Sequence, residues 1–216
     1  MSTAVTSAQR VDTGFLRSRL ASVVAIAPLG VWTVVHLWNN LSAFQGGPAW
    51  ERAVTQYDHP AAFFVSSLVA LLPLALHTVW GIARLFSARP NNARYRYFQN
   101  VKYTLQRLAA VGVLLFLGAH LWKAMLEPRL LHHRAETFAD ISYQMHHHLP
   151  TLAVYVLGVL GVSYHLANGI HTFLMGWGIV TSQGALRRLE GVIVVVVLAL
   201  LAMGWAAVYA LWAAGA

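Results

Sequence analysis

The stretch from Gly191 to Ala214 reads GVIVVVVLALLAMGWAAVYALWAA and decides the fold class of the chain. It carries no charged residue, and it is long enough to cross a bilayer as a helix, which takes about 20 mostly apolar residues. Four earlier stretches share its character, at about 18–41, 61–86, 104–126 and 150–174. The sequence therefore predicts an all-α fold, a five-span transmembrane helical bundle over about 18–214 that follows a tail at 1–17.

Composition supports lipid as the main solvent of the chain. Of its 216 residues, 58% are hydrophobic and 10% are charged, whereas soluble domains carry about 25% charged residues. Cysteine is absent, which excludes cysteine-ligated iron–sulfur clusters and thioether-attached haem within the chain. No basic region stands apart from the spans, so the net charge of +8 does not indicate nucleic-acid binding.

The basic residues predict the orientation in the membrane. Eleven of the fifteen Lys and Arg lie in the tail and in the two loops on its side, and four lie on the opposite side. Because Lys and Arg accumulate in cytoplasmic loops, we expect a cytoplasmic N-terminus and a C-terminus outside. The first 17 residues lack an apolar run with a small-residue cleavage site, so we expect no cleaved signal peptide.

Histidines occur in each of the first four spans, at His36, His77, His120 and His165. A histidine inside a bilayer is costly and usually serves a function in the bundle interior. At a rise of 1.5 Å per residue, His36 and His120 lie roughly 27 and 24 Å from the inner ends of their spans, and His77 and His165 roughly 13 Å. The four thus form two levels, which predicts two bis-histidine b-type haems.

We call His77 with His165 the inner pair and His36 with His120 the outer pair. Each pair is predicted to supply the axial ligands of one haem iron. The alternative for a single histidine is a hydrogen-bonded polar group between helices, but two matched levels across four spans favour ligation. No Asp or Glu lies in the middle of a span, so no carboxylate relay through the membrane is visible.

The remaining histidines are weaker candidates. His171 lies six residues after His165, on nearly the opposite helix face and close to the inner interface, where it would either be structural or lie near a quinone or a propionate. The loop histidines are expected to be solvated, with proton exchange or metal binding as alternatives; they are His132, His133, His146, His147 and His148.

Four segments resemble one protein family, the five-helix dihaem cytochrome b membrane subunit of bacterial succinate dehydrogenase or fumarate reductase. They are Ser22 through Pro28-Leu29-Gly30 to His36-Leu37-Trp38-Asn39-Asn40; Tyr95-Arg96-Tyr97-Phe98-Gln99-Asn100 with Tyr103-Thr104-Leu105-Gln106-Arg107; Ala119-His120-Leu121-Trp122; and Tyr164-His165-Leu166-Ala167-Asn168-Gly169-Ile170, continuing to Gly176-Trp177-Gly178-Ile179. The resemblance covers nearly the whole chain. One departure is His171, where the family pattern implies an aromatic residue such as tryptophan.

The resemblance implies a role in respiratory complex II and the tricarboxylic acid cycle. The chain would anchor a flavoprotein subunit and an iron–sulfur subunit on the cytoplasmic face of the bacterial cytoplasmic membrane. Electrons would pass between the iron–sulfur subunit and a quinone through two haems b. The family resemblance favours menaquinone as this quinone. Dicarboxylate chemistry would take place on the partner chain, and a higher oligomer of the complex stays open.

The position of the quinone site is open at this stage. An outer site would use Trp38, Asn39 and the acids of the outer loops. An inner site would use Ser18, Arg19, Ser22 and Arg107. Two other functions also remain: a cytochrome b anchor of a hydrogenase or formate dehydrogenase, and a transporter or scaffold without haem whose histidines are incidental.

Overall fold

The computed structural model describes residues 13–57, 59–87 and 89–216, and regular structure within these ranges is helical. The elements are α1 (Thr13–Val24), a π-helical turn (Ala25–Gly30), α2 (Val31–Asn40), a 3₁₀ turn (Leu41–Gln45), α3 (Gly47–Val54), α4 (Pro60–Phe86), α5 (Phe98–Leu121), a second π-helical turn (Trp122–Leu126), α6 (Glu127–Leu131), α7 (Phe138–His147), α8 (Leu149–Gly176) and α9 (Gln183–Ala214). The predicted N-terminal tail, 1–17, falls largely on residues 1–12, which lie outside the described residues.

Five helical segments are long and apolar enough to cross a membrane, which confirms the predicted number of spans. They run over Gly14–Gln45, Ala61–Phe86, Phe98–Leu131, Leu149–Gly176 and Gln183–Ala214. Large apolar side chains of the spans, such as Val195 and Leu198 of the fifth, are exposed on the bundle surface. A surface of this kind suits contact with lipid. We call the face at which the first span begins the inner face, and the opposite one the outer face.

Pro28 shapes the first span. It lies inside the π-helical turn between α1 and α2, because proline has no backbone N–H and its ring crowds the preceding turn. Gly30 ends this turn, and a side chain there would meet Leu166 of α8 at 3.2 Å. The first span can thus approach α8 closely, only a few residues from His36 on one helix and His165 on the other.

The fourth span, α8, is central to the bundle and packs against both α5 and α9. Gly158 is one cause of this packing, since a Cβ there would lie 2.1 Å from a ring carbon of Phe116 on α5. Gly204 of α9 lies similarly close to Val159 of α8. Small residues at these crossings let the helix backbones approach, as is usual in membrane bundles.

Two short helices, α3 and α7, cover the outer end of the bundle; we call them the outer cap. Trp50 of α3 is 2% exposed, and Ile141 and Met145 of α7 are equally buried against the end of α9. Thr137 and Asp140 form a capping box at the start of α7, and the Glu51 carboxylate accepts a hydrogen bond from the Phe138 N–H at 3.0 Å. The cap thus joins both outer loops into one packed layer.

The last helix is fixed to this cap at its outer end. The carbonyl of Trp212 lies 3.0 Å from Nδ1 of His146 on α7, and the two rings stack. A Cβ at Gly215 would lie 2.1 Å from the backbone oxygen of Ser142. Glycine is therefore required there for α9 to end directly beneath α7.

Candidate functional site

The structure brings the span histidines together in two pairs. The ring centres of His77 and His165 are 6.1 Å apart, with an interplanar angle of 68°. Those of His36 and His120 are 5.9 Å apart, also at 68°. These are the inner and outer pairs expected from depth along the spans. Each pair joins two different spans, so the ring spacing depends on helix packing.

The spacing within each pair suits a single metal ion between the rings. A metal–imidazole bond is about 2.0 Å, and the nitrogen lies about 1.2 Å from its ring centre, so two imidazoles on opposite sides of one ion have centres about 6.4 Å apart. Neutral imidazole is a common ligand of haem iron. No group of three or more metal-ligating side chains occurs among the described residues, whereas a haem needs only two protein ligands. The donor set therefore fits two haems.

A buried amide network surrounds the inner pair. The Nε2 atom of Gln106, on α5, lies 3.1 Å from Nδ1 of His165 and 3.1 Å from its carbonyl oxygen. Asn168 of α8 donates to the Gln106 side-chain oxygen at 3.0 Å. An imidazole that binds iron through Nε2 carries its proton on Nδ1. With iron bound, both amides would therefore turn, so that the Gln106 oxygen accepts from Nδ1 and the Asn168 oxygen accepts from the Gln106 amide.

A phenol takes the corresponding position at the outer pair. Nδ1 of His120 lies 3.1 Å from the hydroxyl of Tyr155 on α8, and Phe116 stacks on the same imidazole. Since the hydroxyl can accept a hydrogen bond, it suits a metal-bound His120 without rearrangement.

His36, the other member of the outer pair, is tied to the outer cap. Its ring stacks on Trp32 at 4.6 Å, and its carbonyl accepts from Asn40 at 2.8 Å. The Asn40 side-chain oxygen accepts in turn from the indole N–H of Trp50 at 3.1 Å. The buried Trp50 of α3 therefore helps to set the position of His36.

The predicted inner polar residues gather at the inner end of the first span. Ser22 accepts from the indole N–H of Trp177 at 3.0 Å, and the Arg19 guanidinium lies over the rings of Phe15 and Trp177. The Ser18 hydroxyl donates to the carbonyl of Phe15 one turn earlier. Ser22, Arg19 and Trp177 thus form one contact between the first and fourth spans.

Arg107 and His171 lie apart from that group. Arg107 stacks on Tyr103 at 3.3 Å, and its buried Nε has no hydrogen-bond partner among the described residues. A buried guanidinium N–H without a partner can donate to an anion. His171 is 4% exposed and lines a separate inner cavity of about 240 Å³ with Gln99 and Glu190.

The predicted outer quinone residues are not assembled into one site. Trp38 is 67% exposed on the bundle surface, and Asn39 donates to the carbonyl of Ala53 at 3.3 Å. Of the outer-loop acids, Asp58 lies outside the described residues. Glu136 is the buried one, at 5% exposure, and burial raises its pKa to about 8. Asp140 has its pKa lowered to about 2, chiefly by its hydrogen bond from Arg134.

Three residues were not singled out from the sequence: Gln106 and Tyr155, which contact the pairs, and Glu136 of the outer loop. A polar residue inside a span can indicate a functional site from the sequence alone, and Gln106 is such a residue. Tyr155 lies ten residues before His165 with nothing in its sequence context to link it to His120. Glu136 was one of several loop acids, and only the packing of the cap shows that it is buried.

These features define a class: an α-helical multi-pass membrane protein with paired histidines between its spans, as in membrane cytochromes b. No protein-family model matches the chain. It is 28% identical over 197 residues, 91% of its length, to the succinate dehydrogenase cytochrome b558 subunit of Bacillus subtilis (strain 168), of which 96% is covered. The resemblance inferred from the sequence motifs is thereby confirmed: the chain is similar to a succinate dehydrogenase cytochrome b subunit over nearly its whole length.

Proposed function

We propose that this chain is the membrane-anchor cytochrome b subunit of a succinate dehydrogenase or fumarate reductase, and that it passes electrons through two haems b. The observation that carries the proposal is the occurrence of two histidine pairs, with ring centres 6.1 and 5.9 Å apart, on four successive spans. The similarity to a cytochrome b558 subunit favours this function over a hydrogenase or formate dehydrogenase anchor.

The residues of the two pairs have distinct roles in this proposal. His77 and His165 hold the inner haem, and His36 and His120 the outer one; when bound, each haem carries one electron at a time on its iron. Gln106 and Tyr155 orient His165 and His120 through their Nδ1 atoms, which is the usual second contact of a metal-bound histidine. Arg107 would bind a propionate.

The inner face is proposed to bind the catalytic partners, a flavoprotein subunit and an iron–sulfur subunit. The name of the Bacillus subtilis relative supports this assignment. The loop between α4 and α5 supplies a basic surface, since Arg89, Arg94 and Arg96 are all exposed. The orientation predicted from the basic residues places this surface in the cytoplasm, where such partners would lie.

The quinone is proposed to exchange electrons with one of the two pairs. On the inner side, the contact of Ser22 with Trp177 next to Arg19 supplies polar groups at the edge of the bundle. On the outer side, Glu136 lines a cavity whose wall also includes Lys123 and Glu127 of the third span. A photoreactive quinone analogue would be attached to residues of only one of these regions, and the labelled peptide identifies the site.

The proposal is tested by purifying the chain from a host that supplies haem. We expect a reduced-minus-oxidised b-type spectrum and two haems per chain by pyridine haemochrome assay. His171→Ala and His147→Ala are matched controls, because they remove histidines outside the pairs and should keep both haems. A chain without a b-type spectrum, or with one haem, contradicts the proposal. Co-purification of hydrogenase or formate dehydrogenase subunits would favour the alternative anchor.

A further inference from the structure

A cavity of about 350 Å³ opens on the outer face of the protein. Its walls come from three places: the end of the third span, the loop before α7, and α7 itself. Lys123 and Glu127 of the third span lie about one and two helical turns beyond His120. The cavity therefore brings the outer surface to within a short distance of the outer pair.

Glu136 is the buried acid of this cavity. It is 5% exposed, and no hydrogen bond to its carboxyl is found within the described part of the chain. Burial of a charged carboxylate without a partner is costly, so such a group is held in its neutral form. Its pKa of about 8 agrees with this reasoning and places its titration close to neutral pH.

The charged groups around Glu136 do not supply it with a dedicated partner. Those that act on its charge are Lys123, Glu127, Arg129 and Asp140, and His132, Arg134 and Tyr143 also line the cavity. Three cations around it have other contacts: Lys123 with Glu127 at 2.7 Å, Arg134 with Asp140, and Arg129 over the ring of Phe63. Glu136 is thus free to gain and lose a proton without breaking an ion pair.

Tyr155 connects this acid to the outer pair. The Glu136 carboxylate is near enough for its charge to act on the phenol, and the phenol lies 3.1 Å from Nδ1 of His120. Charges interact strongly across a weakly polarisable interior. A change of one charge at the outer pair must therefore alter the proton affinity of Glu136.

We propose that Glu136 is the proton-exchange residue of the outer pair. Where its carboxyl is ionised, it takes up one proton from water in the outer cavity when one electron arrives at the outer pair, and it releases that proton when the electron leaves. The electron is supplied and removed by the quinone and the iron–sulfur partner. The inference therefore rests on the proposed function.

The test is a potentiometric titration of both haems in the purified protein, from about pH 6 to about pH 9.5. An added electron raises the proton affinity of the acid, so the outer midpoint potential should fall as the pH rises past about 8, by up to about 59 mV per unit, the one-electron equivalent of a tenfold change. Glu136→Gln should remove at least half of that slope and leave the inner haem unchanged.

Two variants serve as controls. Asp140→Asn removes a neighbouring carboxylate that is ionised throughout this range, and Glu190→Gln makes the same chemical change at the inner end of α9; both should retain the slope. An infrared redox difference spectrum should also show a carboxylic-acid band that Glu136→Gln removes. An unchanged slope in Glu136→Gln, or equal loss at both haems, overturns the inference. A chain that binds no haem instead contradicts the proposed function.

Discussion

The inner and outer histidine pairs have nearly the same internal geometry and very different surroundings. Both have ring centres about 6 Å apart at 68°. The inner pair is held by the amide of Gln106, which links α5 to α8. The outer pair is held by the phenol of Tyr155 and by an asparagine that reaches Trp50 in the outer cap. Spacing is therefore set by the spans, whereas the chemical character of each pair is set by its neighbours.

The largest expected effect separates the two pairs completely. His77→Ala or His165→Ala should each remove one haem, the same one, and His36→Ala or His120→Ala should each remove the other, because a bis-histidine haem depends on both ligands. Haem content and the low-temperature reduced spectrum of each variant provide the measurement. Loss of different haems from two members of one pair would contradict the pairing.

A packing change should affect only the outer pair. Gly158→Ala places a Cβ 2.1 Å from the Phe116 ring, which stacks on His120, and overpacking of this kind costs about 1–3 kcal/mol. We expect lower occupancy of the outer haem and a lower thermal unfolding temperature. Gly169→Ala is the control, since the nearest atom to its Cβ is 3.9 Å away. Equal outer-haem occupancy and equal unfolding temperature in the two variants would contradict this explanation.

The side chains of Tyr155 and Gln106, which contact His120 and His165, should each affect the midpoint potential of one haem only. Tyr155→Phe removes the acceptor for Nδ1 of His120, which lowers the basicity of that ligand and raises the midpoint potential of the outer haem, by an energy of about 1 kcal/mol. Gln106→Leu should do the same for the inner haem alone. Redox titration of each variant measures both potentials, and a shift in the wrong haem would refute the assignment.

A pH dependence is also expected for the stability of the outer cap. The pKa of Glu136 rises from an ordinary 4.5 to about 8 on folding, so the folded cap binds more protons than the unfolded one between these values. Its stability is therefore complete below about pH 4.5 and falls as the pH rises to about 8. The protection factors of the α7 amides in hydrogen exchange, corrected for the intrinsic rate at each pH, should fall over that range, and Glu136→Gln should remove this fall.

The sequence predicted the spans and the grouping of the histidines better than their surroundings. Hydropathy and helical rise depend only on the residues within one chain segment. The sequence alone therefore predicts the number of spans and the depths of four histidines, His36, His77, His120 and His165. Partners such as Tyr155 depend on which helix faces meet, and this is settled by packing at residues such as Gly158.

The outer cap was the main feature that sequence patterns did not reveal. The segments of α3 and α7 are short and mixed in polarity, so their sequence pattern predicts loops, although Trp50 and Met145 are among the most buried residues. Trp38 shows the opposite case: its place next to His36 in sequence favoured the site, yet its side chain is exposed. Whether a side chain near His36 belongs to the site or is exposed depends on its helix face, rather than on its distance along the chain.

The contact of α9 with the outer cap has a consequence for the order of assembly. The fifth span carries no histidine, yet its last turn binds His146 and packs beneath Ser142. Because the chain is synthesised from its N-terminus, this span enters the membrane after the other four. The inner pair can be complete once four spans are inserted, whereas the cap over the outer pair can close only after the fifth. Assembly thus follows a fixed order, in which the fifth span completes the outer cap.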